Sequence, residues 1–224
     1  MNWIKNATMA QIKSIAELRR DYTLAGLRRS DLDADPIAQF KKWFDEAHVG
    51  GIIEPNAMTL ATVDGGGHPS TRTVLLKAVD RRGFIFFTNY ESRKGRELAK
   101  NPHAALTFFW VELERQVCIA GKIDKVSAAE SDEYFNLRPK GSRLAAWTSS
   151  QSEIIANREV LEKKLAEVSA KYPGDHVPRP PHWGGYSLTP QRIEFWQGRP
   201  DRLHDRFEYS RQAGGAWRLE RLSP

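Results

Sequence analysis

The chain has 224 residues, 40% of them hydrophobic and 28% charged, which suits a globular protein with one sizeable core. No apolar run reaches the ~18 residues of a membrane-spanning helix, and Met1 to Ala10 lacks the apolar centre of a secretory signal, so the chain reads as cytoplasmic, with no membrane partner. The net charge of +6 favours anionic partners, nucleic acid and small phosphates alike, although most basic residues alternate with acidic ones as on a solvated surface.

Ile12, Ile15, Leu18 and Tyr22 recur at helical spacing, which predicts an amphipathic helix over 12–27 with Arg19 and Tyr22 on one face. Asp35 followed by Pro36 opens a second helix, to about His48, which Gly50-Gly51 ends. The period then changes to two. Met58 to Val63, Thr71 to Val79 and Phe84 to Thr88 read as three adjacent antiparallel strands joined by short turns. Ser92 caps a short helix over 93–100. Strands follow over 104–110, 115–120 and 122–126, about six before residue 127. Ser127 with Glu130 forms a capping box for a helix to Leu137, stopped by Arg138-Pro139. A longer helix is expected over 152–171, and the Pro- and Gly-rich stretch 172–185 is a loop. Strands over 186–188, 192–196, 207–210 and 217–222 close the chain. Short strands with inserted helices argue for an α+β protein built on an antiparallel barrel. A parallel nucleotide-binding sheet is excluded, because strand–helix alternation and a Gly-rich first turn are both missing. One domain is expected over 1–224, with a helical segment at about 11–48 and a helical insertion at about 127–171.

Four stretches could carry chemistry. Arg72-Thr73-Val74-Leu75-Leu76-Lys77 reads as a buried strand with a cation at each end, and alternation points Arg72 and Lys77 to opposite faces. Arg93 and Lys94 sit in the first turn of a helix, where free N–H groups already favour an anion, which makes a phosphate cradle. The turn from Arg199 to Arg206 gathers Arg202, His204 and further arginines. Tyr134 and Arg138 share a helical face, with Ser142 beyond the break. Cys118 cannot form an internal disulfide, and its strand setting implies packing. No metal-ligand spacing and no nucleophile elbow is present, and Glu112 with Glu114 reads as a solvated pair.

These stretches together resemble the pyridoxamine 5'-phosphate oxidase family. The match runs through Leu18 to Tyr22, Gly26 to Arg29, RTVLLK at 72–77, FFTNYESRKG at 86–95, LERQV at 113–117 and YFNLRPKGS at 134–142. It continues through AAW at 145–147, QS at 151–152, HWGGY at 182–186, IEFWQG at 193–198 and RLHDRF at 202–207, in the family's order and over nearly the whole chain. The resemblance implies a split-barrel homodimer with FMN at the subunit interface. Arg72, Thr73, Val74, Leu75, Leu76, Lys77, Phe87, Thr88, Arg93 and Lys94 would contact FMN, as would Gln116, Gln151, Ser152, Trp196 and Arg206. Lys77, Tyr134, Arg138 and Ser142 would hold the substrate phosphate. Arg202, Leu203 and His204 would lie at the substrate, with Arg202 and His204 catalytic, and Arg19 and Tyr22 would close over it. Phe87 replaces a frequent tyrosine, keeping the ring without the hydroxyl, and Asn136, Leu137 and Arg143 vary the segment around Arg138-Pro139. The implied reaction is FMN-dependent oxidation of pyridoxamine and pyridoxine 5'-phosphates by dioxygen to pyridoxal 5'-phosphate, with hydrogen peroxide and, from the amine, ammonia. The alternatives are another split-barrel flavin oxidoreductase and a basic nucleic-acid-binding barrel, against which the core-like alternation of Phe84 and Phe86 argues.

Overall fold

The computed structural model describes residues 14, 15, 18 and 21–224. Helix α1 (Pro36–Val49) begins as expected, with the Asp35 carboxylate accepting the Ile37 N–H at 2.9 Å and Pro36 in the first turn. Strands β1 (Ala57–Val63) and β2 (Pro69–Leu75) form a hairpin in which Met58, Leu60 and Thr62 are buried at every second position. Strand β3 (Ala78–Asp80) is short, and β4 (Gly83–Asn89) is buried almost throughout, as a strand covered on both faces must be. Then come α2 (Arg93–Lys100), β5 (His103–Trp110), β6 (Arg115–Lys125) and α3 (Ala128–Leu137). They are followed by α4 (Lys140–Thr148), α5 (Glu159–Lys171), β7 (Trp183–Gln197), β8 (Asp205–Arg211) and β9 (Trp217–Leu222). Among the described residues no helix is long and apolar enough to cross a membrane.

The strands form one antiparallel sheet in the order β2-β1-β5-β6-β7-β4-β3, with β8 and β9 extending from β7. The expected strand over 71–79 is therefore two strands, and β4 pairs with β3 and β7 rather than β2. The chain crosses between two sheet edges at Leu76-Lys77, where the Leu76 N–H bonds the Asn56 carbonyl and the Lys77 N–H bonds the Ile85 carbonyl, each at 2.8 Å. A curled sheet whose edges approach without a full ladder is a barrel with a seam, and this crossing sits on it.

Two other expected breaks are absent, for one shared reason. Gly121 and Pro190 punctuate the sequence, yet they face each other across β6 and β7, where the register shifts between Ala120 and Gly121. A Cβ at Gly121 would lie 2.1 Å from the Thr189 carbonyl oxygen, so the glycine admits the bulge and both strands run on. Conversely, the long helix expected over 152–171 starts only at Glu159, and α4 precedes it unpredicted. Ile154 and Ile155, inside the expected helix, are exposed at 100% and 41%.

Phe40 and Trp43 of α1 cap the core, with ring centroids 4.9 Å from Phe84, 5.0 Å from Phe108 and, for Trp43, 5.1 Å from Phe195. Residues 21–28 are not helical, which corrects that part of the helix expected over 12–27; most of the remainder, including Arg19, lies outside the described residues. This segment is a strap tied to the sheet: the Leu24 N–H donates to Glu114 Oε2 and the Leu27 N–H to Asp205 Oδ2, each at 3.0 Å. Glu114 is accordingly buried at 2% exposure, not solvated.

Candidate active site

The barrel seam opens into a cavity of about 640 Å³ lined by β2, β4, α2, α3, α4 and the start of β7. Thr73, Val74, Leu75, Lys77, Phe87, Thr88, Lys94, Tyr134, Arg138, Ser142 and Gln151 all line it. One wall is an aromatic stack. Phe87 lies parallel to Tyr134 at 4.1 Å and to Trp183 at 5.5 Å. Trp183 escaped the sequence reading; the signal was Gly184-Gly185 beside it, where a Cβ would meet Tyr90 and Phe87 at 2.2 and 2.7 Å.

Arg138 ends α3, where Pro139 forbids another turn. Its guanidinium sits 4.7 Å from the Trp183 ring centre, its Nη1 is buried without a hydrogen-bond partner, and burial lowers its pKa. Lys77 approaches the Tyr134 ring at 5.9 Å. A buried guanidinium nitrogen with no acceptor is costly, and an anionic oxygen is the group that satisfies it best.

Lys94 is 8% exposed, and among the described residues its ammonium donates to neutral oxygens alone, Gln151 Oε1 at 2.8 Å and Ser92 Oγ at 3.4 Å. Thr88 Oγ1 reaches the same Gln151 oxygen at 3.3 Å. Burial first, then the Arg72 charge, push the Lys94 pKa down to about 8, against the opposing pull of Glu97. Arg72 does not line the cavity; its guanidinium bonds Leu60, Thr62, Ser70 and Glu97 behind Lys94. Leu76 is buried in the core and Arg93 is exposed. Ser152 adopts a left-handed φ of 74° beside Gln151. A half-buried cation pair whose lysine has only neutral acceptors fits a flavin phosphate by its donor chemistry.

A second cluster lies at the other end of β7. Tyr22, Arg199, Arg202 and His204 line a separate cavity of about 650 Å³. Tyr22 meets Trp196 edge-on at 5.5 Å and His204 at 5.8 Å, and His204 lies 4.7 Å from Trp196. The Arg199 N–H donates to His204 Nδ1 at 3.2 Å, which leaves the neutral ring's proton on Nε2. Burial and the Arg202 charge lower the His204 pKa. Asp201 and Arg202 both have left-handed backbone, φ 56° and 62°, a strain of about 1–2 kcal/mol each that only a constrained loop retains. Leu203 is 70% exposed.

Gln116, Trp196 and Arg206 are cross-strand neighbours on β6, β7 and β8. Arg206 forks onto Glu194 at 2.7 and 3.1 Å, which raises its pKa. Beside them the outer sheet face carries small side chains, with Thr59 opposite Thr107 and Ala61 opposite Ala105, and Cys118 near Thr107 at 3.7 Å. One chain thus gathers Lys77, Lys94, Tyr134, Arg138, Ser142 and Gln151 in one cavity and leaves Gln116, Trp196, Arg202, His204 and Arg206 at the far end of β7.

The curled sheet and its seam cavity define a split-barrel protein. A pyridoxamine 5'-phosphate oxidase-related, FMN-binding protein from Nostoc punctiforme shares the fold, with TM-score 0.69 and 17% identity over 86% of this chain and all of that one. A family model described as pyridoxamine 5'-phosphate oxidase matches residues 44–172, and one described as the pyridoxine 5'-phosphate oxidase C-terminal dimerisation region matches 183–224. Curated relatives named pyridoxine/pyridoxamine 5'-phosphate oxidase include one from Nostoc punctiforme, 60% identical over 95% of this chain and 99% of its own length. Another, from Cupriavidus necator, is 59% identical over 94% and 99%. The structure of PhzG from Burkholderia lata, in complex with tetrahydrophenazine-1-carboxylic acid, superposes with TM-score 0.84 at 34% identity over 92% of this chain and all of that one. The chain belongs to the pyridoxamine 5'-phosphate oxidase family of flavoprotein oxidoreductases.

Proposed function

We propose that the protein is a cytoplasmic homodimeric oxidase, each chain one split-barrel domain, that binds FMN at the subunit interface. It converts pyridoxamine and pyridoxine 5'-phosphates to pyridoxal 5'-phosphate, reducing dioxygen to hydrogen peroxide; with the amine, water is consumed and ammonia released. The observation that carries this reading is Arg138, whose guanidinium Nη1 is buried without a hydrogen-bond partner and which lines one cavity together with Lys77, Tyr134 and Ser142. That donor set suits a phosphate monoester.

FMN, when bound, supplies the two-electron acceptor chemistry and its reoxidation by dioxygen. The chain's own residues bind and orient. Lys94, with Arg72 behind it, would hold the FMN phosphate, with Thr88, Arg93, Gln151 and Ser152 around it and residues 73–77 along the seam. Gln116, Trp196 and Arg206 of a second copy would complete the flavin wall. Arg202 and His204, also from the second copy, would lie over the substrate carbon to be oxidised, with Leu203 between them and Tyr22 and Arg19 excluding water. His204, uncharged at neutral pH and carrying its proton on Nε2, is suited to donate a hydrogen bond to the substrate amine or hydroxyl. Two phosphates held on two cation sets would fix the substrate against the flavin, and such positioning is the largest service a protein renders a redox cofactor.

The test is turnover of each phosphorylated substrate with added FMN, following pyridoxal 5'-phosphate and hydrogen peroxide together. Both products in equal amounts are expected. A purified chain that takes up no FMN and forms neither product would falsify the reading.

A further inference from the structure

A buried carboxylate stands behind the two cations of the phosphate corner. Glu97 is 8% exposed on α2. Its Oε2 accepts from the Thr62 hydroxyl, from the Ser70 hydroxyl at 2.7 Å and from Arg72 Nη2 at 3.3 Å. Arg72 is held by the same groups in turn: Nη1 donates to Thr62 Oγ1 at 2.5 Å and to the Leu60 carbonyl at 3.2 Å, and Nη2 to Ser70 Oγ at 2.6 Å. The guanidinium is thereby fixed by β1, β2 and α2 at once. Lys94 lies three residues before Glu97 on one helix, hence on a neighbouring face. Two charges act on Lys94: Arg72, which disfavours its proton, and Glu97, which favours it. Although burial opposes it, the hydroxyl bonds and Arg72 keep Glu97 ionised below its ordinary range.

We propose that Glu97 is a positioning residue for FMN: it fixes the Arg72 guanidinium beside Lys94 and supplies the negative charge that lets two cations share one half-buried corner before the phosphate arrives. This rests on the reading that the seam cavity binds FMN. Simple electrostatics gives the opposite expectation. A carboxylate behind a phosphate site repels the phosphate, so removing its charge would tighten binding if repulsion were its main effect. Positioning predicts a loss, because Arg72 gives up a charge-assisted anchor and Lys94 releases its proton at lower pH.

The experiment is titration of FMN fluorescence against the apoprotein of wild type, Glu97→Gln and Glu97→Asp across the alkaline range, above the second ionisation of the phosphate at about pH 6. Wild type is expected to bind; no binding by wild type overturns the cofactor reading, and this proposal with it. Glu97→Gln is expected to bind on the order of tenfold more weakly, with its alkaline loss of affinity displaced to lower pH. Glu97→Asp keeps the charge and is expected to return that loss towards the wild-type pH. Tighter or unchanged binding by Glu97→Gln overturns the proposal while leaving the FMN reading intact, and so does weaker binding with an unmoved pH profile, which marks a merely structural role. Should Glu97→Gln fail to fold, Ser70→Ala removes a hydroxyl that fixes both carboxylate and guanidinium. A several-fold loss of FMN affinity is then expected, and unchanged affinity overturns the proposal.

Discussion

The two ends of β7 are built differently. At its start, six elements close a cavity whose rings are already stacked, with Lys94 on the neutral Gln151 oxygen and Arg138 Nη1 buried without a partner among the described residues. At its end the charges are already matched: Arg206 grips Glu194, and Arg199 and Arg221 converge on Asp205. There the unusual feature is backbone, the left-handed pair Asp201-Arg202. The first end is a socket lined by cations and stacked rings. The second is a loop of constrained backbone, suited in the proposed dimer to wall a neighbouring subunit's socket.

The comparison breaks most completely if the two ends never meet. Ala61→Arg places an unpaired charge on the small-residue outer face, which costs several kcal/mol if that face is covered. We expect a monomer in sedimentation and FMN affinity lowered by more than about 100-fold. A dimeric Ala61→Arg protein with normal flavin content would remove the shared-site argument.

Within the socket, Arg138→Ala should lower kcat/KM by on the order of 100-fold, mainly through KM, because it deletes the charge-assisted bonds to the substrate phosphate. FMN affinity should not change, and a parallel loss of both would merge the two phosphate sites proposed above. At the other end, Arg202→Lys keeps the charge but loses the planar fork. A fall of roughly tenfold or more in kcat, with FMN still bound, is expected. Normal turnover would withdraw the role of Arg202.

A subtler effect separates the ends by pH. Lys94, lowered to about 8, loses its proton as pH rises through that value, so FMN affinity should weaken by up to about tenfold. Apoprotein stability should move the other way. Between about 8 and the ordinary lysine value of 10.5 the unfolded chain binds more protons, so the Lys94 contribution to stability rises with pH. Isothermal FMN titration and thermal melts over one pH series check both signs. The smallest change is expected from Tyr22→Ala, which removes ring contacts to Trp196 and His204 worth about 1 kcal/mol. A few-fold rise in KM with unchanged FMN affinity would place the strap at the substrate end.

Much of the socket was legible because its residues sit at element ends that the sequence marks chemically: Ser92 before Lys94, and Pro139 after Arg138. Trp183 and α4 were not legible, since the tryptophan's partners are remote in sequence and α4 follows a proline with a glycine in its first turn. Glu114 reads as one of a solvated pair and nothing in the sequence singles out Glu97, because burial of a carboxylate depends on donors supplied by other strands.

By itself the sequence determined the alternation of the strands, the helix caps and the residue types that bind phosphate, all of which follow from local sterics and hydrogen bonding. Only the tertiary structure decided that the strand over 71–79 breaks at Leu76-Lys77, that Gly121 and Pro190 meet in one bulge, and that Arg72 stands behind Lys94. Those outcomes depend on which strands become neighbours when the sheet curls, and the burial that selects the neighbours is a property of the whole core.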